Sequence, residues 1–233
     1  MNIRTTLITT GLIAANLMNM KKVKFLVAFP VAILTASVSY ASTISGTNGF
    51  GIPVVPNATA TIDFDGQPDA SFSSLSLGGV TFTGIDGYLR TDNTYPNQYN
   101  GRGSRYLDNN GSNVGYSGST STIRFDFAAP VSAFAFNLGA SNYLWVLTAF
   151  DAANNVIESF NLPITASSNG GEYVGLANAG MAYATLVASP GDWIFIDNFT
   201  VAAQVPEPET YAMLLAGLGL VGIAARRRKL AEA

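Results

Sequence analysis

Ile123-Arg124-Phe125-Asp126-Phe127-Ala128-Ala129-Pro130-Val131-Ser132-Ala133-Phe134-Ala135-Phe136 is a run in which two alternating segments meet at a proline. In Thr122 to Phe127, Ile123, Phe125 and Phe127 take one side and Arg124 and Asp126 the other. That period of two belongs to a half-buried β-strand. After Pro130, Val131 to Leu138 repeats it, with Phe134, Phe136 and Leu138 on one face. Outward from this pair the same signature recurs. Ala60 to Phe64 places Ile62 and Phe64 opposite Thr61, Asp63 and Asp65, and Gly79 to Phe82 is a second strand. Leu144 to Phe150 and Val156 to Leu162 flank Asp151-Ala152-Ala153-Asn154-Asn155, a good hairpin loop. Tyr173 to Leu176, Ala182 to Ala188 and Trp193 to Val201 complete the set. Many short strands with no helical period between them predict an all-β domain, a β-sandwich or jelly roll.

Composition narrows the function classes. Charged residues are 12% of the 233, while Gly, Ser, Thr and Asn abound, as suits an extracellular β-domain. Eight of the twelve Lys and Arg sit at the two ends. Residues 42–204 keep four cations (Arg90, Arg102, Arg105, Arg124) against twelve acids, a net charge of 4 − 12 = −8. Such a surface repels nucleic acid and anionic lipid. The chain has no cysteine and no histidine, which excludes disulfides, thiolate chemistry, a Ser-His-Asp triad and His-ligated zinc.

Both ends read as addresses. Met20-Lys21-Lys22-Val23-Lys24 is a positive segment, Phe25 to Ala36 is apolar, and Ser39-Tyr40-Ala41 supplies small residues before a cut. Residues 1–41 are therefore expected to be an export signal, with Met20 the better start. The general export machinery would carry the chain out, and signal peptidase would cut before Ser42. The apolar run is too short to span ~30 Å of hydrocarbon comfortably. At the other end, Val205-Pro206-Glu207-Pro208-Glu209 precedes an apolar stretch, Tyr211 to Ala225, and then Arg226-Arg227-Arg228-Lys229. The prolines favour extended backbone, which a membrane peptidase can read as a strand. The apolar stretch is expected to be a short hydrophobic helix, brief for a permanent transmembrane anchor and weakened by Gly217, Gly219 and Gly222. The basic cluster holds its end in the cytoplasm and so places residues 42–204 outside.

The Pro206-Glu207-Pro208 motif, the short glycine-bearing span and the stop at Arg226, Arg227, Arg228 and Lys229 resemble the PEP-CTERM sorting signal, over residues 205–233. The resemblance implies transient inner-membrane insertion, recognition by an exosortase, cleavage near the motif, and release or transfer to the cell surface. It implies a producer with an exopolysaccharide-rich envelope or biofilm. The quoted run 123–136 and the closing Trp193-Ile194-Phe195-Ile196-Asp197-Asn198-Phe199-Thr200-Val201 resemble segments of exported PEP-CTERM β-domains. They are similar to jelly-roll sandwiches of the galactose-binding or carbohydrate-module kind, and that kinship implies no enzymatic activity.

Candidate chemistry is sparse. Residues 84–121 form a long polar insert with Tyr88, Tyr95, Tyr99, Tyr106 and Tyr116, half of the ten tyrosines. Tyr95, Tyr99 and Tyr106 are candidate ligand contacts, since tyrosine among Asn and Ser suits adaptable recognition surfaces. The alternative is that the insert packs its tyrosines against the sandwich as a cover. Asp197 shares, by strict alternation, a face with Trp193, Phe195, Phe199 and Val201, where an unpaired carboxylate is costly. Either a bulge turns it outward, or backbone N–H groups satisfy it, or a structural Ca²⁺ does, with Asp63 and Asp65 as co-ligands if the strands bearing them pair. Trp145 and Trp193 sit in apolar strands and read as core. Glu158 and Glu172 read as solvated charges, which leaves a carboxylate glycoside hydrolase as a remote alternative. The expectation is a non-enzymatic structural or adhesive surface or matrix protein in an exopolysaccharide envelope. The alternative is a carbohydrate-binding module contacting that polysaccharide.

Overall fold

The computed structural model describes residues 42–49, 51–95, 97–101, 103–109, 120–204 and 213–222. The export signal, Tyr116, the Pro206-Glu207-Pro208 motif and the basic stop lie outside these residues. Among them are twelve strands: β1 (Ser42–Thr47), β2 (Ala60–Ile62), β3 (Ala70–Phe72), β4 (Ser74–Leu77), β5 (Val80–Gly84), β6 (Leu89–Asp92), β7 (Tyr106–Asp108), β8 (Ser121–Gly139), β9 (Trp145–Phe150), β10 (Val156–Asn161), β11 (Glu172–Ala188) and β12 (Phe195–Ala203). A short helix spans 213–222, and its apolar side chains are exposed. Among the described residues no helix is long and apolar enough to cross a membrane.

The architecture follows from two strands that bend. The two segments expected around Pro130 are one strand, β8, and the two expected at 173–188 are one strand, β11. Residues 128–130 stand exposed at the bend of β8, where Pro130 needs no ladder partner for its missing N–H. Beside it β11 shifts register between Ala177 and Tyr183, with Gly180 left-handed at φ 83°. The first half of β8 pairs with β5 and with the second half of β11, which pairs in turn with β9, and β9 with the edge strand β10. The second half of β8 pairs with β12 and with the first half of β11, which pairs with β1. β12 continues the second sheet to β7, β6 and β3, and also pairs β2. One continuous ladder thus folds into two facing sheets, a β-sandwich.

The core confirms the facing. Phe125 of the first sheet lies 5.0 Å from Phe199 and 5.7 Å from Phe136 of the second. Phe82 meets Phe199 edge-on at 5.1 Å, and Phe127 meets Phe134 at 5.3 Å. Edge-to-face pairs of this kind are the geometry that the ring quadrupole favours. Trp145, Leu147, Leu186, Leu176 and Ile196 are fully buried around them.

The bends also give the sandwich two unlike ends. One end holds the turns at 128–130 and 178–180 and the hairpin 151–155. The other gathers the ends of β8 at Ser121 and Gly139, the start of β12 and the loops 140–144, 163–171 and 189–194.

Candidate functional site

The site lies at this second, loop-bearing end, on the outer face of the second sheet. The polar insert is not simply a loop there. Its residues form β6 and β7, which pair with each other and extend the sheet through β12. Leu89, Leu107 and Tyr106 are buried, so the insert contributes core as well as surface. Arg90 on β6 bonds Asp92 and lies 3.2 Å from Asp108 on β7. Asp92 Oδ1 accepts from the Thr94 hydroxyl (2.8 Å) and from the Thr94 and Asn93 N–H groups. Desolvation opposes ionisation of Asp92, but these donors and the Arg90 charge together hold its pKa below the usual carboxylate value. The Tyr106 hydroxyl donates to Asp92 Oδ2 and accepts from the Tyr95 N–H, each at 3.2 Å, and burial pushes its pKa up.

This network presents an aromatic cluster. Tyr106 stacks on Phe195 at 4.3 Å. Tyr99 and Trp193 meet Phe195 edge-on at 5.3 and 5.2 Å, and Tyr95 bridges Tyr99 (5.5 Å) and Trp193 (5.8 Å). Tyr95, Tyr99 and Trp193 remain half-exposed, while Tyr106 and Phe195 are buried. A cleft of about 190 Å³ opens between Tyr99, Trp193 and Phe195 on one side and Ala140, Asn142, Ala166 and Ser167 on the other. A second cavity beside Ser121 and Asn109 has about 10 Å³, room for one water.

Each wall is pinned. Asn100, left-handed at φ 62°, donates to the Leu138 carbonyl (2.6 Å) and to Glu172 Oε2 (2.7 Å), and accepts from the Gly171 N–H (2.9 Å). It thereby fixes the neighbouring Tyr99. A Cβ on Gly139 would overlap the Tyr99 carbonyl, so glycine is required for the loop to lie on the strand end. Desolvation opposes ionisation of Glu172, yet bonds from Ser168 and Asn100 lower its pKa. On the far wall, Asp192 Oδ2 accepts from the Asn142 and Tyr143 N–H groups (2.7 and 2.9 Å) and from Trp145 Nε1 (3.2 Å). The Ser141 and Thr165 hydroxyls bond at 2.9 Å, and the Ala166 N–H donates to the Ser141 carbonyl at 2.7 Å.

The sequence-derived site residues part company here. Tyr95 and Tyr99 sit in the cluster with half-exposed rings, and Tyr99 lines the cleft. Tyr106 is buried beneath them as a support, with its hydroxyl already committed. Trp193, read from its apolar strand as core, is instead part of the cleft wall, while Trp145 is core. The indole N–H of Trp193 is covered and has no hydrogen-bond partner.

The three aspartates do not gather. β2 does pair β12, as the co-ligand idea required. However, Asn198 is left-handed at φ 47° and the β12 register shifts between Asp197 and Thr200, so one residue is inserted into the alternation. Ile196, Phe199 and Val201 join the main core, whereas Phe195 joins the outer aromatic cluster. Asp197 is therefore turned to the outer face beside Asn137, and its Oδ1 accepts from the Asn198 N–H at 2.7 Å. Asp65 accepts from the Arg105 N–H at 2.9 Å, and Asp63 from the Asp65 N–H at 3.2 Å. Among the described residues no group of three or more acidic side chains is placed to hold a metal ion.

Glu158 and Glu172 are not the solvated charges expected, since both are half-buried. Glu158 lies on β10 at the edge of the first sheet, and desolvation raises its pKa. Glu172 opens β11 in the second sheet.

Comparison with solved structures returns distant likenesses. A DUF4465 family protein from Bacteroides caccae is 12% identical over 69% of this chain and 99% of its own, with a TM-score of 0.36. CsCBM6-3 from Clostridium stercorarium, solved with cellobiose, is 9% identical over 62% of this chain and 94% of its own, at 0.28. TmCBM61, solved with beta-1,4-galactotriose, is 11% identical over 55% and 90%, also at 0.28. All three scores are low, and the sandwich rests on the strand pairing above. No curated protein matches the chain. The family description "PEP-CTERM protein-sorting motif" does match, over residues 204–229. The chain thus ends in a PEP-CTERM sorting motif, the mark of a protein exported and sorted to the cell surface.

Proposed function

We propose that this is an exosortase-processed, non-enzymatic surface protein whose cleft takes one sugar ring of an uncharged surface polysaccharide. The observation that carries the reading is the cleft itself. Tyr99 and Trp193 offer half-exposed aromatic faces above a buried Phe195 floor, and Asn142 and Ser167 stand opposite with amide and hydroxyl groups. Apolar walls with a few polar groups are the usual make-up of a small-ligand site. Its volume of about 190 Å³ suits a single ring. The net charge of −8 on residues 42–204 disfavours acidic polymers.

Two features of the chain ends support the processing half of the reading. Ser42, the residue after the expected signal-peptidase cut, already lies in β1, where it pairs with Ala177. A cut there leaves the six pairs of Ser42–Thr47 with β11 intact. The sorting motif begins directly after β12 ends at Ala203. General export machinery, signal peptidase and exosortase are the implied processing partners.

The test is retardation of the mature protein, purified from an exporting host, in gels containing neutral or anionic polysaccharide. Neutral polymer should retard it, and Trp193→Ala should weaken that binding about tenfold, ~1.4 kcal/mol. Equal mobility in every gel would leave the structural matrix role as the better reading.

A further inference from the structure

The two ends of the exported domain leave from one pole of the sandwich. Ser42 pairs with Ala177, Ala177 with Ala133, and Ala133 with Ala202. These four residues form one row across the second sheet. The first residue of β1 and the end of β12 are therefore three strand spacings apart, about 14 Å. The cleft lies at the opposite pole, where β12 starts at Phe195 and β8 ends at Gly139. The nine residues of β12 separate the poles by about 26 Å.

We infer that the domain is held by this first pole and presents its cleft away from the membrane. The inference rests on the sorting reading, because residues that follow Ala203 carry the tail. Two observations support it. Only six residues, Val205 to Thr210, separate the last described strand region from the apolar stretch at Tyr211. The seven steps from Gln204 to Tyr211 reach at most about 25 Å. Inverting the domain would lift the attachment pole about 26 Å or more from the bilayer, beyond that reach. The attachment pole is also nearly free of charge. Residues 56–58, 78–79, 128–130, 178–180 and 202–204 contain no ionisable side chain, and Asp151 in the hairpin turn is the exception. Acidic groups such as Asp192 and Glu172 lie at the cleft end, so the pole nearest the bilayer brings few charged side chains to it. The attachment pole thus faces the bilayer while the tail holds, and the cleft faces the polymer layer.

The absence of native cysteine makes a direct test practical. Single variants Ala129→Cys and Asn57→Cys mark the attachment pole, and Asn169→Cys marks the cleft pole; all three positions are exposed. The full chain is expressed in an exporting host lacking exosortase, so that the tail stays in place. Spheroplasts are then treated with a polymer-linked maleimide of about 5 kDa, larger than the ~25 Å gap the linker permits. Each rate is divided by that of the same chain in detergent. The expected result is Asn169→Cys unchanged and both attachment-pole variants slowed about fivefold. Equal rates for all three, or protection of Asn169→Cys, would overturn the inference. Fractionation of the precursor distinguishes the causes: a chain absent from the membrane fraction defeats the sorting reading, while a membrane-held chain with equal rates defeats the orientation alone.

Discussion

Two aromatic clusters divide the molecule, and they differ in how they finish their surfaces. Between the sheets, Phe82, Phe125, Phe134, Phe136 and Phe199 pack with no polar atom and no exposure. On the outer face of the second sheet, Tyr95, Tyr99 and Trp193 use the same stacked and edge-on contacts over buried Tyr106 and Phe195, but they carry hydroxyl and N–H groups and stay partly open. The first cluster is held by packing alone. The second depends on a polar frame of Asp92, Asn100, Glu172 and Asp192 to hold it half-exposed. Packing suffices to close a core; keeping aromatic faces open takes directional bonds.

The largest expected effect breaks the inner cluster. Phe199→Ala should cost about 3–5 kcal/mol and unfold much of the sandwich, seen as loss of a cooperative thermal transition. Trp193→Ala, on the half-open cluster, should leave the melt nearly unchanged while weakening polysaccharide binding. If the two substitutions lower stability equally, the division between core and site is wrong.

A smaller effect separates frame from face. Gly139→Ala should push the Tyr99 loop off the strand end, costing about 1–3 kcal/mol and reducing binding together. Trp193→Phe keeps a ring but removes the unpartnered N–H. Its stability should be equal or slightly higher, because an unsatisfied buried donor is removed. Any loss of binding then measures what the larger indole face contributes beyond a phenyl ring.

The smallest effects are in pH. Asp92 and Glu172 have lowered pKa values, so the stability they contribute is present above their unfolded values and lost as pH falls through the folded ones. The frame should loosen in acid before the phenylalanine core does, detectable as tyrosine and tryptophan fluorescence changing ahead of the far-ultraviolet signal. Glu158 has the opposite sign, since desolvation raises its pKa. Glu158→Gln should stabilise the protein at neutral pH, and the gain should vanish below the ordinary glutamate value of 4.5. A gain that persists in acid would mean the carboxylate is not the cause.

The inner cluster was legible in sequence and the outer one only partly. Ile123, Phe125, Phe127, Phe134, Phe136 and Leu138 all fall inward as their alternation predicts. Alternation carries that information because a strand has only two faces. It failed at Asn198, where one left-handed residue exchanges the faces of everything before it. That single inserted residue hid the true places of Phe195, Asp197 and Trp193. The strands β6 and β7 were missed because each is three or four residues long and mixes Arg, Thr and Asp with Leu and Tyr. Their partners are supplied by distant segments, which local pattern does not reveal. Asn100 gave no signal beyond its residue type, since its role depends on Leu138, Gly171 and Glu172 arriving from elsewhere in the chain.

The pairing of Ser42 with Ala177 joins residues 135 positions apart (177 − 42). The leading strand has no place to dock until most of the polypeptide has emerged. The front edge of the sheet therefore stays open until the later strands are available, and the sheet seals late. Long-range closure of this kind is slow. The β1 edge of the second sheet is thus completed by segments that meet only when most of the domain is present.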